Sequence, residues 1–243
     1  MMRATVALVL AIAAHAQPQP APRTEFEVAS LKPGDPADPS SSVRTTPGGL
    51  QMRNTTLKNL ARSAYGLNEY QLEGGPKWID SARFNVDAKL PVGAPRGEIP
   101  LMIQALLADR FHLRFHRVTK TLPEYALVVA NGGPKLQAAS EDDTNPQGSS
   151  QGDRQIQGRR LPMSSLASML ISVVGAPVLD KTELAGNYNF VLEFAPLLGT
   201  PREDETLPTI FAVLTEKLGL KLKAIKGPVE VLVIDQAEKP TEN

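Results

Sequence analysis

The chain has 243 residues, of which 26 are basic and 26 are acidic, so it carries no formal net charge at pH 7. This balance argues against a nucleic acid or an anionic membrane surface as the main partner, because both require clustered positive charge. The length suits one large domain or two small ones, and the absence of cysteine excludes disulfides and lipid-anchored cysteines.

The first 16 residues have the pattern of a signal peptide. A basic start at Arg3 precedes a mainly apolar run, Ala4–Ala14, and Ala14-His15-Ala16 has the small-x-small pattern that signal peptidase cleaves. Because a bilayer span takes about 20 residues, this run is too short to cross a membrane. We expect cleavage after Ala16, a Pro-rich leader over residues 17–25, and a secreted mature protein, periplasmic or extracellular, without a transmembrane span.

Residues 26–138 are interpreted as a first α+β half. Alternating apolar and polar residues predict strands, and a 3.6-residue apolar period predicts two helices. The helices are one capped by Asn54 and ended by Gly66, and one over Pro100–Asp109. The predicted strands are Phe26–Leu31, Gly49–Arg53, Tyr70–Leu72, Arg83–Leu90, a strand that starts at Arg110, and Tyr125–Ala130.

Residues 139–154 contain no large apolar residue up to Gly152 and are interpreted as a polar linker. A second α+β half follows over residues 155–237, and a polar tail over residues 238–243. Its predicted helices are one capped by Ser164 and one that opens at Thr206 and Pro208 and ends at Gly219. Its predicted strands are Gln155–Leu161, Pro177–Leu179, Tyr188–Phe194, Leu220–Ile225 and Val229–Ile234.

The two halves share a sequence pattern. Ala105–Val118 aligns without a gap on Ala212–Ile225, 107 residues later, and Phe84–Leu90 aligns on Tyr188–Phe194. We interpret this as an internal duplication. The predicted fold class is therefore α+β, with two duplicated halves of two helix-strand-turn-strand units each, forming an antiparallel sheet with helices packed on one face.

Several patterns that could carry chemistry have a simpler structural explanation. His112 and His116 would lie about 13 Å apart on a strand, too far to share a zinc ion, so with Arg114 they are expected to form a solvated polar stripe. Gly148–Gly152 fits G-x-S-x-G, but it lies in the polar linker and no histidine follows it. Asp180-Lys181-Thr182 is better explained as a turn. We predict no catalytic set, metal site or cofactor.

A binding surface is expected around the one tryptophan. Trp78 lies beside a Gly-Gly-Pro turn and could serve as a ligand platform, although single tryptophans more often pack in a core. With Tyr70 and Arg83 it forms the first candidate surface. The polar stripe of His112, Arg114 and His116 is the second.

Seven sequence segments, in this order along the chain, resemble those of a known family: FEVASLKP, TLKNLARSAYGL, GGPKWIDSARFNVDAK, LLADRFHLRFHR, LPEYALVVANGGPKL, PVLDKTELAGNYNFVLEF and LGLKLKAIKGPVEVLVID. Together they resemble the acidobacterial soil-associated family of exported proteins of unknown function. The same domain occurs there fused to BlaR-type zinc metallopeptidase sensors, whose HExxH motif this chain lacks. The family offers no catalytic residues. It usually has glycine where this chain has Glu183, so the turn there is expected to differ.

The helix followed by a short strand pair also resembles small modules of secretins and TonB-dependent receptors, which implies a docking role. Our first hypothesis is an exported non-catalytic module of the cell envelope that binds another envelope protein or a cell-wall component. One alternative is an envelope hydrolase that uses carboxylates. Another is an accessory sensor subunit of a BlaR-type system. A cleft with two buried carboxylates would favour the hydrolase, whereas an open sheet edge would favour the binding module.

Overall fold

The computed structural model describes residues 24–38, 40–140, 146–197 and 207–240. The predicted signal peptide, most of the leader, residues 141–145 of the predicted linker, and the last three residues lie outside these described residues. So does Thr206, the predicted start of the last helix. Within the described residues, no helix is long and apolar enough to cross a membrane.

The described chain has an α+β fold. Its α-helices are α1 (Leu57–Tyr65), α2 (Ile99–Phe111), α3 (Met163–Val174) and α4 (Ile210–Val213), and α4 continues as a π-helical turn, Leu214–Leu218. Its strands are β1 (Val28–Pro33), β2 (Ser42–Thr46), β3 (Gly49–Thr56), β4 (Leu72–Gly74), β5 (Arg83–Lys89), β6 (Arg114–Val129), β7 (Gln137–Ala138), β8 (Gly148–Gln151), β9 (Gln155–Leu161), β10 (Val178–Asp180), β11 (Tyr188–Glu193) and β12 (Leu220–Gln236).

These strands form three sheets rather than the expected single one. The first sheet has the order β1-β5-β3-β2 and the second has the order β7-β11-β9-β8, and both are antiparallel. The central sheet has the order β10-β6-β12-β4. It is mixed, because β6 and β12 are antiparallel while β10 and β4 lie parallel to their neighbours. The expectation of one antiparallel sheet was therefore wrong.

The central sheet joins the two halves of the sequence. β4 belongs to the first half but pairs with β12, and β10 belongs to the second half but pairs with β6. One hydrophobic core lies between α1, α2 and the first sheet, and it includes Leu232 and Ile234 of β12. The other lies between α3, α4 and the second sheet, and it includes Leu127 of β6. Each core therefore contains side chains from both halves.

Each of the two long strands replaces a predicted pair of short strands. β6 and β12 pair continuously from Leu220 opposite Val129 to Ile234 opposite Phe115, with no turn between. Proline lacks the N–H that a central strand needs, so Pro123 and Pro228 favoured turns in the sequence. However, β10 and β4 reach only short parts of β6 and β12, away from both prolines. A proline is tolerated there because one side of the strand has no partner strand in the described fold.

Helix α1 forms because its apolar residues recur on one face. Leu57, Leu60, Ala61 and Ala64 are all buried. The predicted cap Asn54 was wrong: Thr56 caps the helix, and its hydroxyl accepts the Asn59 N–H at 3.1 Å. The helix starts later than expected because β3 continues to Thr56.

The change from helix to strand after α2 occurs later than the sequence indicated. The helix continues to Phe111 and ends at His112, which has a left-handed φ of 46°. The strand begins at Arg114, so the expected start at Arg110 was wrong. The apolar residues nevertheless turn inward, since Phe111 and Leu113 are both buried.

Part of the segment interpreted as a polar linker is a strand. β8 lies between residues 139 and 154 and pairs with β9 from Gly148 opposite Arg159 to Gln151 opposite Ile156. Short polar strands of this kind lack an apolar period, because an edge strand can expose both of its faces. The pairing places the Gly148–Gly152 motif at a sheet edge.

Candidate functional site

Trp78 packs against the first core. It lies in a short 3₁₀ helix, Lys77–Asp80, and its ring stacks on Phe111 with centroids 6.4 Å apart and an angle of 19°. Phe84 meets it edge-on at 6.3 Å, and the Lys239 ammonium lies 5.9 Å from the ring centroid. These contacts give Trp78 a structural role: it closes the core beneath the start of the polar tail.

The structure does not join Tyr70 and Arg83 to Trp78. The Tyr70 hydroxyl accepts a hydrogen bond from the Asn68 amide at 3.2 Å, and burial raises the pKa of Tyr70. The Arg83 guanidinium donates to the Asn54 carbonyl at 3.3 Å. No hydrogen bond or ring contact links these three predicted residues within the described part of the chain.

Each histidine of the predicted polar stripe contacts its own carboxylate. The His112 Nδ1 lies 3.1 Å from the Glu238 carboxylate, and the His116 Nδ1 lies 2.8 Å from that of Asp235. His112 precedes the strand, whereas His116 and the exposed Arg114 lie in it. Among the residues described, no three His, Cys, Asp or Glu side chains come close enough to hold a metal ion.

A different surface, at the edge of the first sheet, combines several features of a binding site. Among the strands of the described residues, β2 is an edge strand that pairs only with β3, and all five of its residues are exposed. Val43, the second residue of β2, is 62% exposed. The outer N–H and C=O groups of such a strand have no strand partner here and can pair with an added strand.

A hollow of about 350 Å³ lies beside this edge. Ser42 and Val43 line it from β2, and Asn59, Arg62 and Ser63 line it from α1. The Arg62 Nε is buried and has no hydrogen-bond partner in the described structure. A buried donor without a partner costs roughly 1–3 kcal/mol, so an incoming acceptor there would be favoured.

Asn54 holds the chain that leads into β2. Its side-chain amide donates to the Asp38 carbonyl at 2.5 Å and to the Ser40 carbonyl at 3.0 Å. Its own N–H donates to the Asn85 side-chain oxygen at 2.9 Å. Asn54 has a φ of 53°, and the β3–β5 register shifts beside it. This bulge turns the Asn54 side chain toward the segment before β2 and fixes the start of the edge strand.

Sequence reasoning missed this site. Residues 34–47 are rich in proline, aspartate and serine, and no strand was predicted between Leu31 and Gly49, but Ser42–Thr46 is a strand. One usable signal was present: the β-branched Val43, Thr45 and Thr46 precede Pro47-Gly48-Gly49, and such residues before a turn indicate a hairpin.

Comparison with known proteins matches the chain to a family model. The family described as a protein of unknown function (DUF3738) matches residues 58–237. A search of curated proteins and a search of solved structures each found no match. The matched range begins in α1 and ends just after β12. It therefore includes the α1 residues that line the hollow, but it does not include β2.

Proposed function

Because the chain belongs to the DUF3738 family, whose function is unknown, we propose its role from its own surface. The protein is an exported, non-catalytic module of the cell envelope that binds an extended segment of another envelope protein along β2. The observation that carries this proposal is the open edge of Ser42–Thr46 beside a hollow.

An extended segment suits the chemistry of this edge. Strand addition gives main-chain hydrogen bonds for affinity, and pockets that receive alternate side chains give specificity. The hollow between β2 and α1 can receive a side chain that points to that face. Since Arg62 offers a buried cationic donor without a partner, the expected side chain is acidic.

The envelope setting rests on the sequence. Arg3, the apolar run and the Ala14-His15-Ala16 site support export and cleavage after Ala16, to the periplasm or the exterior. The resemblance to acidobacterial exported proteins, whose domain also accompanies BlaR-type sensors, supports a role in protein contacts.

The proposed architecture is an internal duplication. The first and second sheets have the same strand order, with the fourth strand between the first and the third. In both, an asparagine of the fourth strand accepts an N–H from a residue of positive φ: Asn85 from Asn54, and Asn189 from Arg160, each at 2.9 Å. If one ancestral unit gave both halves, β2 and β8 are equivalent edges that have since diverged.

Site-specific photocrosslinking tests the proposed surface. A photoreactive amino acid is placed at Val43 or at Val28 in the mature protein, which is then exposed to an envelope extract and irradiated. The two valines are equally exposed, at 62%, on the opposite edges of the first sheet, so Val28 is a matched control. Position 43 should crosslink to one defined segment of a partner protein. Equal yields at both positions, or none at position 43, would contradict the proposal.

A synthetic peptide of the crosslinked segment then tests the role of Arg62. Arg62→Gln should weaken its binding to the purified protein about 10-fold or more, because a charge-assisted hydrogen bond is lost. The control Arg96→Gln changes an exposed arginine on a different surface and should leave binding unchanged. Equal effects of the two substitutions would exclude Arg62 from the site.

A further inference from the structure

A second, separate groove lies on the second sheet. It has a volume of about 400 Å³ and is lined by strands β9 and β11 and by the π-helical turn. Its charged residues are all cationic: Lys135, Arg159 and Lys217. Three amide side chains, Gln137, Gln157 and Asn189, also line it. The groove therefore concentrates positive charge in a chain whose net charge is zero.

These three cations have no carboxylate partner in the described part of the chain. The Lys135 ammonium donates to the Glu216 carbonyl at 3.3 Å, and the Arg159 Nε donates to the Pro146 carbonyl at 3.1 Å. A carbonyl offers only a partial charge, so both side chains keep most of their attraction for an anion. The terminal nitrogens of Arg159 can still form a two-point contact with a carboxylate.

In the first sheet, the arginine at the position equivalent to Arg159 has a carboxylate partner, which Arg159 lacks. In that sheet Gln51 lies opposite Asp87, and Arg53 follows two residues after Gln51. In the second sheet Gln157 lies opposite Val191, and Arg159 follows two residues after Gln157. Arg53 donates to the Asp87 carboxylate at 2.6 Å. The position equivalent to Asp87 is Val191, which lies diagonal to Arg159, is 46% exposed and cannot accept a hydrogen bond.

The second sheet thus has an arginine at the position of Arg53 but a valine at the position of Asp87. We propose that the groove binds a small carboxylate ligand, an organic acid or an acidic sugar. Its carboxylate lies beside Arg159 as that of Asp87 lies beside Arg53. Lys135 and Lys217 attract the remaining negative charge, and the amides hydrogen-bond to hydroxyl groups. A volume near 400 Å³ is in the range of small-molecule sites. This site is independent of β2 and goes beyond the proposed function.

Isothermal titration calorimetry on the mature protein tests the ligand class. The probes are citrate, digalacturonate and inorganic phosphate, each at low ionic strength because salt screens such contacts. Binding of citrate alone indicates an organic acid, binding of digalacturonate alone indicates an acidic sugar, and binding of both supports the shared carboxylate chemistry. Tighter binding of phosphate than of either, or no binding of the two carboxylates, overturns the proposal.

Three pairs of variants locate the site. Arg159→Gln should weaken carboxylate binding about 10-fold or more, whereas Arg53→Gln, at the equivalent position of the first sheet, should leave it unchanged. Val191→Asp supplies an internal carboxylate and should abolish binding, whereas the similarly sized but uncharged Val191→Asn should keep it within about 3-fold. Lys217→Gln should weaken binding, and Lys223→Gln, on an exposed part of β12, should not.

The comparison of Val191→Asp with Val191→Asn separates an effect on ligand binding from an effect on folding. Because the Val191 side chain is exposed at the protein surface, both of its substitutions should leave the unfolding midpoint nearly unchanged. Undiminished binding in Val191→Asp, or equal binding in Arg159→Gln and Arg53→Gln, would show that the ligand lies elsewhere and would overturn the assignment.

Discussion

Thr121 lies directly opposite Pro228 in the antiparallel pairing of β6 with β12. Pro228 follows Thr121 by 107 residues, the same interval that separates Ala105–Val118 from Ala212–Ile225. A two-fold axis through two antiparallel strands of one repeat would pass between such equivalent residues. The register therefore supports the proposed duplication, and it explains why β4 and β10 each pair with the long strand of the other half.

The two sheet bulges provide the first prediction. Asn85→Ala and Asn189→Ala each remove the oxygen that accepts the N–H of a positive-φ residue in the neighbouring strand. Each should lower the free energy of unfolding by about 1–2 kcal/mol, because a partly buried N–H loses its partner. Asn131→Ala, in an exposed turn, is the control and should stay within about 0.5 kcal/mol in urea melts. A neutral effect at Asn85 or Asn189 would contradict the equivalence of the bulges.

The turn after β10 provides the second prediction. Glu183 has a φ of 58°, a left-handed conformation that costs a residue with a β-carbon about 1–2 kcal/mol. Glu183→Gly should therefore raise the free energy of unfolding by about 0.5–1 kcal/mol, after the larger chain entropy of glycine is subtracted. Glu193→Gly, in the extended strand β11, should lower it instead. If thermal melts show a loss of stability in both variants, the left-handed conformation at Glu183 is wrong.

The segment after α2 provides the third prediction. Leu113 is only 8% exposed and belongs to the first core, whereas its neighbour Arg114 is exposed. Leu113→Asp should cost about 3 kcal/mol or more, since it removes apolar burial and buries a charge without a partner. Arg114→Asp should cost no more than about 0.5 kcal/mol. Equal losses in denaturant melts would mean that the inward and outward faces are wrongly assigned.

The pair Arg53–Asp87 provides the fourth prediction, which concerns pH. The hydrogen bond from the Arg53 guanidinium holds the pKa of Asp87 below its ordinary value. A lowered pKa in the folded state contributes stability above the unfolded-state pKa, near 3.9, and this contribution is lost as pH falls through the folded-state pKa. Because both side chains are more than 40% exposed, the contribution should be below about 1 kcal/mol.

The variant Asp87→Asn measures this contribution. Its deficit in unfolding free energy relative to the parent protein should be present at pH 6 and should shrink as the pH is lowered below 4. Arg53→Gln should show the same trend, because it removes the other partner. A deficit that grows on acidification would contradict the stated sign.

The sequence predicted the elements whose apolar period is regular. The strand predicted over Arg83–Leu90 begins where β5 begins and ends one residue later, and the apolar face of α1 was identified correctly. The long strands were missed because Pro123 and Pro228 are turn formers, and whether a proline is tolerated depends on which strand edge is free. The parallel pairing of β4 with β12 also left no local signal, since it joins residues far apart in the chain.

The candidate sites were harder to predict than the fold. Trp78 was selected as the one tryptophan, and its partly buried ring stacks on Phe111. The residues of the open edge at β2 have an ordinary polar composition. The edge becomes a candidate binding site only because the hollow between β2 and α1 lies beside it. Arg159 stands out only when its register with Val191 is compared with that of Arg53 and Asp87, and register is a property of the folded sheets.

Binding along β2 is tested most directly by hydrogen exchange of its backbone amides. The mature protein is measured alone and with a saturating concentration of the peptide that crosslinks to position 43. Exchange within Ser42–Thr46 should slow about 10-fold or more, because an added strand hydrogen-bonds to the open edge, while β1 at the opposite edge stays unchanged. Unchanged exchange within Ser42–Thr46, or equal protection of β1, would contradict the proposed binding surface.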